Sequence, residues 1–254
     1  MNKIYFANFK MNLTFSEIKT YIKAFVKVAD LKNYIGLFVP FTAIKQTKEI
    51  LKDINILVGA QNVHFEDEGA FTGEISAQML KEVGTDIVLI GHSERRKYFF
   101  EKNTEINKKI KQLMKYNIKT VLCVGETKQE RNSNNTKQVI YKQLKEALQG
   151  LYENELDNII IAYEPVWAIG TGETASNKMI EEVSDIIRQI IADLYNKKIA
   201  EKISIIYGGS VTLKNNKTLN KIKNINGFLI GGASLNYNHF ADIINEDKKE
   251  IINN

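Results

Sequence analysis

The run Ile159-Ile-Ile-Ala-Tyr163 passes directly into Glu164-Pro-Val-Trp-Ala-Ile-Gly-Thr-Gly172, so an apolar segment ends on a carboxylate and a glycine-punctuated loop. A strand that is apolar at every position, rather than at alternate ones, is buried on both faces, as in a parallel sheet covered by helices. The same kind of run recurs at Ile4–Phe9, Ile35–Val39, Ile56–Ala60, Ile87–Ile90, Thr120–Val124, Ile203–Tyr207 and Phe228–Ile230. Between these runs lie segments of helical period, near Glu17–Ala29, Ala43–Lys52, Ala77–Val83, Glu105–Tyr116, Lys137–Leu148, Lys178–Leu194, Leu213–Lys221 and Tyr237–Ile244. The sixth shows the pattern best, with Ile180, Val183, Ile187, Ile190, Ile191 and Leu194 on one stripe and Glu181, Asp185, Arg188 and Asp193 off it. Eight strand–helix units in 254 residues predict an α/β chain folded as one (β/α)8 barrel domain. A doubly wound open sheet is the alternative, but no G-x-G-x-x-G follows the first strand.

Composition narrows the function. A hydrophobic content of 44% excludes a disordered chain, and a net charge of +5 raises the question of nucleic acid. The lysines, however, are scattered along amphipathic segments such as Asn107–Lys115 and interleaved with acidic residues. That pattern reads as solvated helix faces, so no nucleic-acid partner is expected; a mild positive field still suits a small phosphorylated substrate. The lone cysteine, Cys123, allows no intramolecular disulfide and no cysteine-based metal site. Its run Val121–Val124 makes it a packed, inert thiol. The histidines His64, His92 and His239 are isolated from one another, so no zinc site is expected. The chain moves from Met1 straight into Ile4-Tyr-Phe-Ala7 without a signal-peptide pattern, and no apolar run approaches the roughly 20 residues that span a bilayer. A cytoplasmic protein without a membrane partner is expected. The Asn-rich Arg131–Thr136 reads as a loop, and the polar tail from about Glu246 as a frayed extension.

In a barrel the chemistry sits at the carboxyl ends of the strands. The first ends in Asn8-Phe-Lys-Met-Asn12, which brings Lys10 to the rim. The fourth ends in Gly91-His-Ser-Glu-Arg-Arg96, with His92 at a helix start and Ser93 as its expected cap. The sixth delivers Glu164, a candidate base, into a segment Pro165–Gly172 that could close as a lid. The seventh and eighth end in Tyr207-Gly-Gly-Ser-Val211 and Ile230-Gly-Gly-Ala-Ser234. Two consecutive Gly-Gly turns that open toward helices suggest a cradle of backbone N–H groups for a phosphate.

Taken together, Asn8–Asn12, Gly91–Arg96, Ala162–Gly172, Tyr207–Val211 and Gly231-Gly-Ala-Ser-Leu235 resemble the triosephosphate isomerase family from Ile4 to about Asn245. The resemblance implies interconversion of dihydroxyacetone phosphate and glyceraldehyde 3-phosphate through an enediolate, without metal or organic cofactor. It makes Glu164 the base, His92 the neutral electrophile, Lys10 the cation at the developing oxyanion, Asn8 its support and Glu94 the organiser of Lys10 and His92. Phosphate contacts would come from Gly170, Ser210, Gly231 and Gly232, with Asn8 and Lys10 holding the rest of the substrate. The lid would comprise Pro165, Val166, Trp167, Ala168, Ile169, Gly170, Thr171 and Gly172. Phe9 departs from the family's usual tryptophan. The resemblance also implies a homodimer. The aperiodic stretch Gln61–Ser76 carries Val63, Phe65 and Phe71, which a free loop would expose, and Thr72, Gly73 and Glu74 would meet the partner near its Asn12. Other readings are an aldolase with Lys10 as a Schiff-base amine, or an inert phosphosugar-binding barrel.

Overall fold

The computed structural model describes residues 3–169 and 174–252. Eight strands form a closed barrel in sequence order: β1 Ile4–Asn8, β2 Tyr34–Phe38, β3 Ile56–Ala60, β4 Ile87–Ile90, β5 Lys119–Val124, β6 Ile159–Tyr163, β7 Ser204–Tyr207 and β8 Gly227–Ile230. All neighbours are parallel, and β8 closes the ring on β1 by pairing Ile4 with Gly227 and Ala7 with Ile230. This is the TIM barrel that the unbroken apolar runs predict.

Side-chain alternation sorts each strand into two cores. Phe6, Phe38, Leu89, Val121, Cys123, Ala162, Ile206 and Leu229 fill the barrel interior. Tyr5, Ala7, Leu37, Val88, Ile90, Leu122 and Ile161 face outward and pack against the helices. Gly36 makes room inside: a Cβ there would lie 2.9 Å from the Phe6 ring, which itself meets Phe38 edge-on at 5.4 Å.

Eleven helices surround the barrel among the described residues: α1 Phe15–Val28, α2 Ile44–Ile50, α3 Ala77–Glu82, α4 Ser93–Tyr98, α5 Asn103–Lys115, α6 Lys128–Asn132, α7 Thr136–Ala147, α8 Asn177–Leu194, α9 Lys197–Lys202, α10 Asn216–Leu219 and α11 Tyr237–Ile252. In α8 the stripe read from sequence is the buried face, from Ile180 to Ile191, and Ser176 caps the first turn by accepting from the Met179 N–H. No helix among the described residues is long and apolar enough to cross a membrane.

Several expectations need correction. Arg131–Thr136 is not one loop: a capping box on Thr127 and Glu130 starts α6, which runs through Asn132 and leaves only three residues before α7. The Ala43–Lys52 segment splits into a 3-10 turn at Phe41–Ala43 followed by the shorter α2. The backbone of α11 stays helical to Ile252, past the expected end at Ile244 and through most of the segment read as frayed. The cap of α4 is His92 rather than Ser93.

Candidate active site

The carboxyl ends of β1, β4, β6, β7 and β8 surround a cavity of about 220 Å³. Asn8, Lys10, His92 and Glu164 line it together with Gly208–Ser210, Gly231 and Gly232.

Lys10 follows β1 in a left-handed conformation, with φ of 53°. Its backbone is pinned from both ends: Asn8 Oδ1 accepts the Lys10 N–H at 3.0 Å, and Gln61 donates to the Lys10 carbonyl at 2.9 Å. Its ammonium contacts Glu94 Oε1 at 2.7 Å.

His92 sits where β4 turns into α4. Its Nδ1 accepts the Glu94 N–H at 3.2 Å, so the imidazole itself satisfies one of the helix's open donors. With Nδ1 used as an acceptor, the neutral ring carries its proton on Nε2, the atom facing the cavity. That Nε2 stands 3.3 Å from Glu164 Oε1, while Glu164 Oε2 accepts the Ser93 N–H at 3.1 Å. Glu164 is only 2% exposed. A buried carboxylate thus accepts one backbone N–H from the end of β4 and has the His92 ring beside its other oxygen. A carbonyl group in this cavity would find an N–H donor, an ammonium and a carboxylate within reach of one another.

The rest of the lining is built largely of backbone. Gly232 opens onto free space, with nothing that a Cβ would touch, and a Cβ on Gly231 would approach the Lys10 stem at 3.4 Å. Gly208 leaves room for Glu164, whose Cγ would be 2.9 Å from a Cβ there. Gly209 leaves room for the Tyr207 ring and hydroxyl. Exposed amides on two adjacent loops suit a small anion.

Behind Glu164, Gly125 packs so closely that a Cβ would overlap the Glu164 carbonyl. The side chain of Gln143, on α7, grips Gly125 at two points: its carbonyl accepts the Gly125 N–H at 2.8 Å, and its amide donates to the Gly125 carbonyl at 3.0 Å. The next residue, Glu126, is fully buried and accepts from Tyr163 Oη and Trp167 Nε1, each at 3.1 Å. Burial pushes the Glu126 carboxyl above the ordinary carboxylate range. Its backbone carbonyl accepts the Val166 N–H at 3.0 Å. Glu126 therefore holds both the strand end and the 3-10 turn Val166–Ala168 that follows Pro165. Cys123 is buried as expected, its thiol pushed up by burial and then by the charge of Glu164.

The chain matches the family described as triosephosphate isomerase over residues 3–247. It belongs to the triosephosphate isomerase family. The triosephosphate isomerase of Acetivibrio thermocellus is 46% identical over 242 residues, covering 95% of this chain and 96% of that one. The triosephosphate isomerase of Clostridium tetani is 43% identical over 239 residues, with 94% of each chain covered. The crystal structure of triosephosphate isomerase from Bartonella henselae matches with a TM-score of 0.88 at 36% identity, covering 98% of this chain and 100% of that one.

Of the residues singled out from the family's motifs, Asn8, Lys10, His92, Glu164, Ile169, Ser210, Gly231 and Gly232 line the cavity, with Glu94 in contact with Lys10. Gly170, Thr171 and Gly172 lie outside the described residues. Asn12, Thr72, Gly73 and Glu74 are exposed on the surface beside Lys10's loop and along Gln61–Ser76. Glu126 and Gln143 were missed. Glu126 had a usable signal, a carboxylate just past a buried strand; Gln143 had none, because an exposed-looking glutamine on a helix announces no partner.

Proposed function

We propose that this chain interconverts dihydroxyacetone phosphate and D-glyceraldehyde 3-phosphate, with Glu164, His92 and Lys10 as its reacting groups. The Glu164 carboxylate takes a proton from C1 of the ketose as the C2 carbonyl pair moves onto oxygen, a proton passes from the C1 hydroxyl to the C2 oxygen beside His92, and C2 regains a proton from the same carboxyl as the C1 carbonyl forms. A proton beside a carbonyl is weakly acidic, so the barrier falls only where donors already meet the developing oxyanion. His92 Nε2–H and the Lys10 ammonium are those donors, with Asn8 beside them. Ser210, Gly231, Gly232 and Gly170 hold the phosphate, and Pro165–Gly172 closes over it to exclude water. The chemistry draws on no metal or organic cofactor. The step serves glycolysis and gluconeogenesis, and the reading assigns it to the cytoplasm.

The observation that carries this reading is one cavity lined both by Glu164 and His92, with His92 Nε2 3.3 Å from the carboxylate, and by the paired glycine turns. A coupled isomerase assay on the purified protein tests it, and absence of isomerase activity refutes it. Borohydride trapping with a ketose phosphate separates it from the aldolase alternative: no trapped adduct is expected.

A two-fold homodimer belongs to the same reading. Met11, Phe41, Phe71, Phe99 and Phe100 are exposed apolar groups near the Lys10 loop and on Gln61–Ser76. That stretch is already ordered: His64 lies between Phe65 and Phe71, with ring centroids at 4.4 Å to each, and its N–H donates to the Ile75 carbonyl. An ordered apolar loop loses little entropy on docking. Thr72 would approach the partner subunit's Asn12 and Glu94 and brace its Lys10. Sedimentation at micromolar concentration is expected to give the dimer, and a fully active monomer refutes it.

A further inference from the structure

We propose that the Tyr21 hydroxyl positions the phosphate-binding turn Gly231–Leu235 from beneath. The inference rests on the reading of that turn as a phosphate cradle. Tyr21 lies on the buried face of α1, and as far as its ring is concerned a phenylalanine would serve. The ring meets Phe9 edge-on at 5.1 Å, stacks on Phe25 at 5.7 Å and meets Tyr237 edge-on at 6.2 Å. The hydroxyl is the unexplained part, since a polar group taken into a core is costly unless it is partnered. Its partner is the Ser234 carbonyl, 2.8 Å away and 213 residues distant in the chain.

Ser234 closes the turn. Its N–H donates to the Gly231 carbonyl at 2.8 Å, and its hydroxyl lies 2.9 and 2.7 Å from the carbonyls of Ile230 and Gly231. The far side of the same short turn, at Gly232, opens into the cavity. Peptide planes this closely linked turn together, so fixing the Ser234 carbonyl sets the direction of the amides above it. The Tyr21 ring also supports Phe9, which stands between Asn8 and Lys10. One side chain thus underlies both the phosphate side and the oxyanion side of the cavity.

The test is Tyr21→Phe, which removes one oxygen and keeps every ring contact. Steady-state kinetics with the triose phosphate and competitive inhibition by inorganic phosphate give the readout, and a thermal melt checks folding. KM and the phosphate Ki are both expected to rise about 3- to 10-fold, the range that one neutral hydrogen bond supports, with kcat within about 2-fold of wild type. The control is Tyr195→Phe, which removes a hydrogen bond to the Leu148 carbonyl at 3.0 Å. It should lower the melting temperature and leave KM and Ki alone. If Tyr21→Phe behaves like this control, the hydroxyl is only structural and the proposal is overturned. A fall in kcat with KM and Ki unchanged overturns it as well. Amide exchange across Gly231–Leu235 is a second measurement: it should quicken in Tyr21→Phe, and unchanged protection there refutes the proposal. A wild-type protein that isomerises nothing and is not inhibited by phosphate would sink the cradle reading itself, and this inference with it.

Discussion

Glu164→Gln separates the chemical role proposed for Glu164 as the base from its structural one. The carboxylate accepts the Ser93 N–H at 3.1 Å, and His92 Nε2 stands 3.3 Å from its other oxygen. The His92 proton cannot simply change nitrogen, because Nδ1 is engaged by the Glu94 N–H. A carboxamide has one acceptor oxygen where the carboxylate has two, so in either orientation its NH2 faces an N–H. One buried donor left unsatisfied costs about 1–3 kcal/mol. For a chain of this size that is a fall in Tm of roughly 2–10 °C. Loss of the base removes the contribution of general acid–base catalysis, about 10²–10⁴-fold in kcat, or roughly 3–5 kcal/mol of the barrier. A Cβ on Gly231 would meet only Lys10 and one on Gly232 nothing, so neither touches Glu164 and the Ki for inorganic phosphate should hardly move. Coupled kinetics, phosphate inhibition and a thermal melt on the same preparation give all three values. A variant with more than about half of wild-type kcat refutes Glu164 as the base. An unchanged Tm refutes the arrangement of Ser93 and His92 about the carboxylate.

Gly125→Ala should destabilise by more than about 3 kcal/mol, because its Cβ would meet the Glu164 backbone rather than a side chain that can swing away; denaturant melts check it. Burial raises the Glu126 carboxyl above its ordinary 4.5, so the folded state holds that proton more tightly than the unfolded one. Its stability contribution is complete below about that value and is lost as pH rises through the folded pKa. The Tm of the wild type relative to Glu126→Gln should therefore decline as pH is raised above 4.5, and a flat difference would show that the carboxyl is not shifted. Charged substitution of Phe71, which is exposed on Gln61–Ser76, should shift sedimentation toward monomer and lower kcat although the loop holds no reacting group. Valine at both Gly170 and Gly172 should restrict lid closure, with more methylglyoxal released per turnover.

The strands were legible because burial on both faces leaves no polar position to obscure the run, as β4 with Ile87–Ile90 illustrates. Helices α6 and α9 were not read, because a short helix needs no apolar stripe; α6 buries no residue at all. Strand-end logic reached Asn8, Lys10, His92 and Glu164, since each lies within two residues of a strand's last residue. The cap of α4 was misassigned because the rule favours a hydroxyl, and here an imidazole lone pair takes that place. The grips of Gln143 on Gly125 and of Tyr21 on Ser234 could not be read, because they exist only once the barrel has closed. Periodicity reports which face of a helix is buried, but not what lies opposite it.

The left-handed backbone at Lys10 has a consequence for how this protein can vary. A residue with a side chain costs roughly 1–2 kcal/mol at such a φ, and glycine costs nothing comparable. The contact with Glu94 offsets little of that, for partly exposed ion pairs give about 0–1 kcal/mol. Lys10→Gly should therefore fold as well as the parent or better, while leaving the oxyanion without its cation. Selection for stability alone would drift this position toward glycine. A lysine here is a strain the fold tolerates only under selection for turnover, so libraries screened for thermostability without an activity filter should discard it early.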